Sequence, residues 1–212
     1  MELISSYKNK GFEAVADGII SFFDRRIDLQ CRGISFENSK TSSSEESPAK
    51  VSTDISLVSI DRSDPEAFAL AEVIMRGVNA ALKRYLEERP LLLECSPCKS
   101  LFVNPIFNLQ RYEPGEGFKK WHCDWTISDE ITEPVHRALA WILYCNDIDS
   151  AGTEFHWQNH YEKAERGKLL IFPAGLSHIH KGRISLSNRK TIATGWINAG
   201  DKNSYLSRLA KS

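Results

Sequence analysis

Gly167-Lys168-Leu169-Leu170-Ile171-Phe172-Pro173-Ala174, followed by His178-Ile179-His180-Lys181-Gly182-Arg183, reads as a short apolar run, a turn and a second short run. A run this brief, closed by proline, suits a strand buried on both faces better than a helix. The same punctuation recurs on either side. Segments 106–112, 118–125, 137–144, 153–158, 168–172, 178–184 and 190–197 are separated by Gly, Pro, Asn and Asp, which predicts seven or eight short strands in succession. Upstream the period becomes helical. Phe12, Val15, Ala16, Ile19, Ile20, Phe22 and Phe23 space out a short helix over 12–25. Asp64 as a cap and Pro65 at the first position open a longer helix that ends at Glu87-Glu88-Arg89-Pro90. Its stripe of Leu70, Ile74, Val78, Ala81, Leu82, Tyr85 and Leu86 predicts packing against a sheet. Helices first and strands after imply a mainly β (α+β) chain, a double-sheet jelly roll backed by N-terminal helices.

With 212 residues, the chain is long enough for one domain with a full core. The reading is residues 1–100 as helical support, a mobile Ser-rich loop over 37–53 within it, a core over 101–198, and a tail over 199–212. An apolar share of 42% and a net charge of −1 exclude a disordered chain and give no basic footprint for nucleic acid. The N-terminus lacks the pattern of a signal peptide, and no apolar stretch approaches the roughly 20 residues that span a bilayer. No membrane partner is therefore expected. Five scattered cysteines (Cys31, Cys95, Cys98, Cys123, Cys145) suggest reduced thiols and a cytoplasmic location. Cys95 and Cys98 form one CxxC without a second pair, which reads as a surface loop rather than a zinc site.

Chemistry concentrates in Trp121-His122-Cys123-Asp124-Trp125. In an extended strand His122 and Asp124 share a face. An imidazole beside a carboxylate is two-thirds of a facial triad for a divalent first-row metal, and either His178 or His180 would complete it. Ten residues after His180 comes Lys190, which shares a strand face with Ile192, Thr194 and Trp196. A lysine inside a barrel is costly unless it meets an anion. A dicarboxylate that ligates the metal at its other end would supply that anion; the alternative is that Arg189 and Lys190 both reach solvent.

The set His122-x-Asp124, His180 and Lys190 resembles the iron(II)- and 2-oxoglutarate-dependent dioxygenases of the prolyl 4-hydroxylase type. Tyr112-Glu113-Pro114-Gly115, Tyr144-Cys145-Asn146, Gly152-Thr153-Glu154-Phe155 and Gly167–Ala174 resemble further family motifs, in order, over roughly residues 100–198. Ala151-Gly152 is one residue shorter than the family's turn, and Cys145 stands for a common leucine. The resemblance implies a double-stranded β-helix, cupin-like, with Fe(II) held by His122, Asp124 and His180. It implies 2-oxoglutarate held at its distal carboxylate by Lys190 with the hydroxyls of Tyr112, Tyr144 and Thr194. Ascorbate as reductant belongs to the same expectation. The implied reaction hydroxylates a C–H bond with dioxygen and releases succinate and carbon dioxide. The acceptor is a peptide, a protein or a small molecule, approaching Arg137 and Trp196, while His178 stands behind the ligands or in the pocket wall. Two rival readings are a cupin-like metalloenzyme using His122, His178 and His180 without 2-oxoglutarate, and a non-catalytic jelly-roll binding module.

Overall fold

A computed structural model describes residues 3–33, 49–94, 101–125 and 135–209. Cys95, Cys98 and the Ser-rich stretch as far as residue 48 lie outside them. The large sheet is antiparallel and seven-stranded. Its strands are β1 (Ser5–Lys8), β2 (Cys31–Arg32), β4 (Thr53–Val58), β5 (Leu101–Tyr112), β7 (Val135–Tyr144), β10 (Lys168–Pro173) and β12 (Lys190–Gly200), in the order β1-β10-β7-β12-β5-β4-β2. Facing it is a three-stranded sheet of β8 (Ile148–Phe155), β9 (His160–Ala164) and β11 (His180–Gly182), in the order β11-β8-β9. A two-stranded ribbon joins β3 (Lys50–Val51) to β6 (Gly117–Phe118). This is the expected double-stranded β-helix.

Helix α1 (Lys10–Arg25) is capped by the Asn9 side chain, which accepts from the Phe12 amide at 2.9 Å. Helix α2 (Pro65–Glu87) is capped by Asp64, which accepts from the Glu66 and Ala67 amides. Both lay their apolar stripes on the outer face of the large sheet, where Ile19, Phe23, Ile74 and Tyr85 join Leu109, Trp141, Leu143 and Ala193 in one core. The inner face packs against the small sheet through Ile142, Leu170, Phe172 and Ile192 with Ile148, Ala151 and Phe155. Alternation along β10 explains its unbroken apolar run. Leu169 and Ile171 point to the helices, while Leu170 and Phe172 point to the inner core. Among the described residues no helix is long and apolar enough to cross a membrane.

The structure corrects several boundaries. Residues 1–100 are not only helical: β1 and β4 are strands of the large sheet, and residues 50–53 are paired rather than looped. The strand expected over 118–125 ends at Phe118, and beyond it only His122 makes a bridge, to His180. The strand expected over 178–184 starts at His180, because Leu176–His178 is a 3-10 turn. A further strand, β9, follows β8. After a short α3 (Leu91–Glu94), the last element is α4 (Lys202–Leu209), in place of a plain tail.

Candidate metal centre

Backbone pairing brings the two histidines together. The His122 amide donates to the His180 carbonyl at 3.0 Å and the His180 amide returns the bond at 2.9 Å, while the Asp124 amide donates to Ala174 at 3.0 Å. Each imidazole then commits its Nδ1 to a carbonyl two residues upstream, His122 to Lys120 and His180 to His178, both at 3.0 Å. That assigns the Nδ1–H tautomer and leaves each Nε2 lone pair open. One donor atom each from His122, Asp124 and His180 lie within 4.8 Å of one another, with His180 Nε2 3.6 Å from an Asp124 carboxylate oxygen. Phe118 stacks on His122 at 3.7 Å between centroids, and Phe172 meets His180 edge-on at 4.8 Å. Burial, and after it the neighbouring His180, push the His122 pKa down to about 4, so its ring is neutral at physiological pH. Two neutral imidazole nitrogens and one carboxylate oxygen fit a divalent first-row metal, with coordination positions left for other ligands.

His178 stands outside this group. Its ring is buried in the turn with Nδ1 3.0 Å from the Ser177 hydroxyl, and its contribution to the centre is the carbonyl that orients His180. The arrangement gives no support to a centre of three histidines.

Lys190 is only 6% exposed, whereas Arg189 reaches solvent and pairs with Glu113 at 2.8 Å. Lys190 Nζ donates to the Arg183 carbonyl at 3.2 Å and lies 4.9 Å from the centroid of the Tyr112 ring, and no carboxylate of the described residues pairs with it. Burial pushes its pKa down to about 8. Its strand neighbour across β5 is Tyr112, and Ile192, two residues along β12, lies opposite Tyr144 on β7. The hydroxyls named with it are differently placed. Tyr112 donates to Gln110 Oε1 at 2.6 Å, and Thr194 donates to the Trp141 carbonyl at 2.9 Å. Tyr144 and the Thr153 hydroxyl are 2.6 Å apart, so a proton supplied by Thr153 would free the Tyr144 O–H to donate elsewhere. Arg137 and Trp196 meet, the guanidinium 3.5 Å from the indole centroid, and Arg137 also donates to the Asp124 carbonyl at 3.4 Å. A register shift makes this possible. Leu139 pairs with Ile197 but Arg137 pairs with Asn198, so Ala138 is the extra residue of a bulge that re-aims Arg137.

Sequence reasoning missed two neighbours. Phe118 was within reach, since even-numbered residues of an extended 118–124 share a face. Lys50 was not: it is buried against Asp54 at 2.5 Å, with Ser52 donating to the same carboxylate at 2.7 Å, and its strand partner is Phe118. Nothing in its local sequence marks a buried ion pair.

Residues 107–198 match the family model of the 2OG-Fe(II) oxygenase superfamily. Similar solved structures include the viral collagen prolyl hydroxylase of Paramecium Bursaria Chlorella virus-1, at TM-score 0.63 and 15% identity, covering 93% of this chain and 97% of that one. The Pseudomonas putida prolyl-4-hydroxylase aligns at TM-score 0.61 and 14% identity, covering 95% of each chain. A prolyl hydroxylase from Trichoplax adhaerens, in complex with a hypoxia inducible factor oxygen degradation domain peptide fragment, aligns at 0.62 and 11%, covering 96% of this chain and 86% of that one. No curated protein matches the chain in sequence. With the fold, the convergent donor set and the family match in hand, residues 107–198 are identified as a 2OG-Fe(II) oxygenase domain, on a fold shared with the prolyl hydroxylases.

Proposed function

We propose that His122, Asp124 and His180 hold iron(II), that Lys190 receives the distal carboxylate of 2-oxoglutarate, and that the acceptor docks against Arg137 and Trp196. Bound iron(II) and 2-oxoglutarate supply the dioxygen activation that hydroxylates a C–H bond, with succinate and carbon dioxide released. The chain's own part is orientation and charge. The Lys120 and His178 carbonyls aim the two imidazoles, and Phe118 and Phe172 keep those rings from turning. The observation that carries the 2-oxoglutarate role is Lys190, a buried ammonium whose one hydrogen bond among the described residues goes to a neutral carbonyl. An arriving carboxylate gives it a charge-assisted partner. Tyr144 is the hydroxyl that adds a donor; Tyr112 and Thr194 line the pocket with their protons already given away.

For the acceptor we propose a prolyl residue in a polypeptide, supported by the prolyl hydroxylase names of the similar structures and by the Arg137–Trp196 pair, which offers a cation and a ring face together. Ascorbate as reductant and a cytoplasmic location complete the reading. The test is succinate release from 2-oxoglutarate with iron(II) and proline-containing peptides. Wild type should turn over and Asp124→Ala should not. Succinate formation at the wild-type rate in Asp124→Ala would remove the assignment of the metal ligands. Turnover that persists without 2-oxoglutarate would favour the cupin-like alternative.

A further inference from the structure

The small sheet has a second face, and its outer row is Lys181, Glu154 and Tyr161, cross-strand neighbours on β11, β8 and β9. A cleft of about 250 Å³ opens there, lined by Trp121, Glu154, His156, Asn159, Tyr161 and Arg183 among others. Its walls are aromatic. Trp121 lies edge-on to His156 at 5.1 Å, and His156 to Trp157 at 4.6 Å, yet Trp121 is 42% and Trp157 65% exposed. Two exposed indoles bridged by one imidazole form a contiguous ring surface of the kind that marks a binding site.

The polar groups decide what that surface takes. Glu154 is the cleft's carboxylate, and both its oxygens are used, one by Lys181 at 3.3 Å and one by Arg183 Nε. Two cations on one carboxylate leave a surplus positive charge. Both cations also lie over rings, Lys181 4.5 Å from the Trp121 centroid and Arg183 4.1 Å from that of Tyr161, so one face of each of these rings is already taken by positive charge and the other face is left for an uncharged body. The His156 ring nitrogens and the Asn159 side-chain amide have no hydrogen-bond partner among the described residues. A cation would meet surplus positive charge and occupied ring faces. An anion would find charge and unspent donors.

We propose that this cleft binds a carboxylate carried on a flat apolar body, the rings of Trp121 and His156 taking the body and Arg183, with Asn159, taking the charge. The carboxylate has two possible sources, an acidic residue of a polypeptide or a free aromatic acid. The site lies back to back with the metal centre. Trp121 directly precedes His122, Lys181 directly follows His180, and the Arg183 carbonyl is the acceptor of Lys190 Nζ. An occupant therefore rests on the outer side of the segments whose inner sides carry the centre.

The test uses the full chain with indole-¹⁵N-labelled tryptophan, without iron or 2-oxoglutarate, so its outcome is independent of the dioxygenase reading. Benzoate should shift the Trp121 and Trp157 signals saturably, at least about tenfold more tightly than benzylamine, a difference of about 1.4 kcal/mol. Arg183→Gln should weaken the benzoate response about fivefold or more, with the Trp141 signal of the core unmoved as evidence of an intact fold. Lys190→Met should leave the response in place. Equal response to benzoate and benzylamine, no saturable shift, or a response lost in Lys190→Met but kept in Arg183→Gln would each overturn the assignment. A peptide of acetyl-Phe-Asp-amide separates the sources: tighter binding than benzoate identifies a polypeptide acid and weaker binding a free acid, and either result sustains the carboxylate site.

Discussion

A buried ammonium without a carboxylate partner is held in an unfavourable state, and among the described residues Lys190 has none. At Lys190 burial lowers the pKa from 10.5 to about 8, which corresponds to about 3 kcal/mol against folding at pH 7. The folded pKa lies below the unfolded one, so between pH about 8 and about 10 the unfolded chain binds the extra proton and stability rises with pH; below about 8 both forms are protonated and the penalty is constant. Lys190→Met should therefore stabilise the cofactor-free protein at pH 7 by about 1–3 kcal/mol, read as a higher urea midpoint, and flatten the alkaline rise. The same variant should weaken 2-oxoglutarate binding by about 3–5 kcal/mol, measured calorimetrically with iron(II) present. Wild-type affinity for 2-oxoglutarate should fall as pH passes above about 8, since the empty site must acquire a proton to pair. A variant that neither gains stability nor loses 2-oxoglutarate affinity would refute the role. At the ligands, His178→Ala should keep iron(II) because its carbonyl survives, and His180→Ala should lose it; the opposite pattern in metal analysis would reassign the third ligand. The burial of Lys190 and the placement of His180 beside His122 and Asp124 were legible because a fixed separation along one chain segment records them. The Lys50–Asp54 pair was not, because its burial depends on β6 folding over β3.

Close approach between strands sets what the elements tolerate. A Cβ at Gly195 would fall 2.8 Å from the Phe107 Cβ and 3.0 Å from the Trp141 ring, where β12 passes between β5 and β7. Gly195→Val should cost about 1–3 kcal/mol by overpacking, read as a lower denaturation midpoint. Gly152 is tighter: a Cβ there would sit 1.8 Å from the Glu162 carbonyl, at the irregularity where β8 turns against β9. Gly152→Ala should displace β8, which carries the Phe155 ring 5.7 Å from that of His180, and so weaken metal binding as well as stability. Unchanged iron(II) affinity in Gly152→Ala would separate the small sheet from the centre. Two elements show what sequence can carry at this scale. Thr53-Asp54-Ile55-Ser56-Leu57-Val58 alternates with period two and is strand β4, but its Ser-rich neighbour obscured the pattern. Residues 119–125 are held by the His180 and Ala174 carbonyls, partners about fifty residues away, so no local period marks where that strand stops.

The N-terminal residues are part of the sheet and not only a cover for it. β1 closes the free side of β10, β4 closes that of β5, and α1 and α2 bury Leu109, Trp141, Leu143, Leu169 and Ile171. Helices and β1 pin each other: Tyr85 in α2 donates to the Leu3 carbonyl at 2.8 Å, and Arg89, just beyond α2, donates to the Ser5 hydroxyl at 2.6 Å. Remove residues 1–100 and the large sheet keeps β10-β7-β12-β5, with both edges unpaired and its outer apolar face wet. Exposing those five side chains, each contributing about 1.5–3 kcal/mol when buried, forfeits about 7–15 kcal/mol, as much as the 5–15 kcal/mol by which a domain of this size is ordinarily stable. Open edges beside apolar strands also invite association. A fragment beginning at Leu101 contains every residue assigned to iron and 2-oxoglutarate, yet it should not fold. Its amide NMR spectrum should be collapsed or broadened, and it should bind neither iron(II) nor 2-oxoglutarate. Coexpression with residues 1–100 as a separate chain should restore both, because what the fragment lacks is packing and edge pairing rather than chemistry. A dispersed spectrum from the isolated fragment would show that the family-matched segment folds alone and that the helices only decorate it.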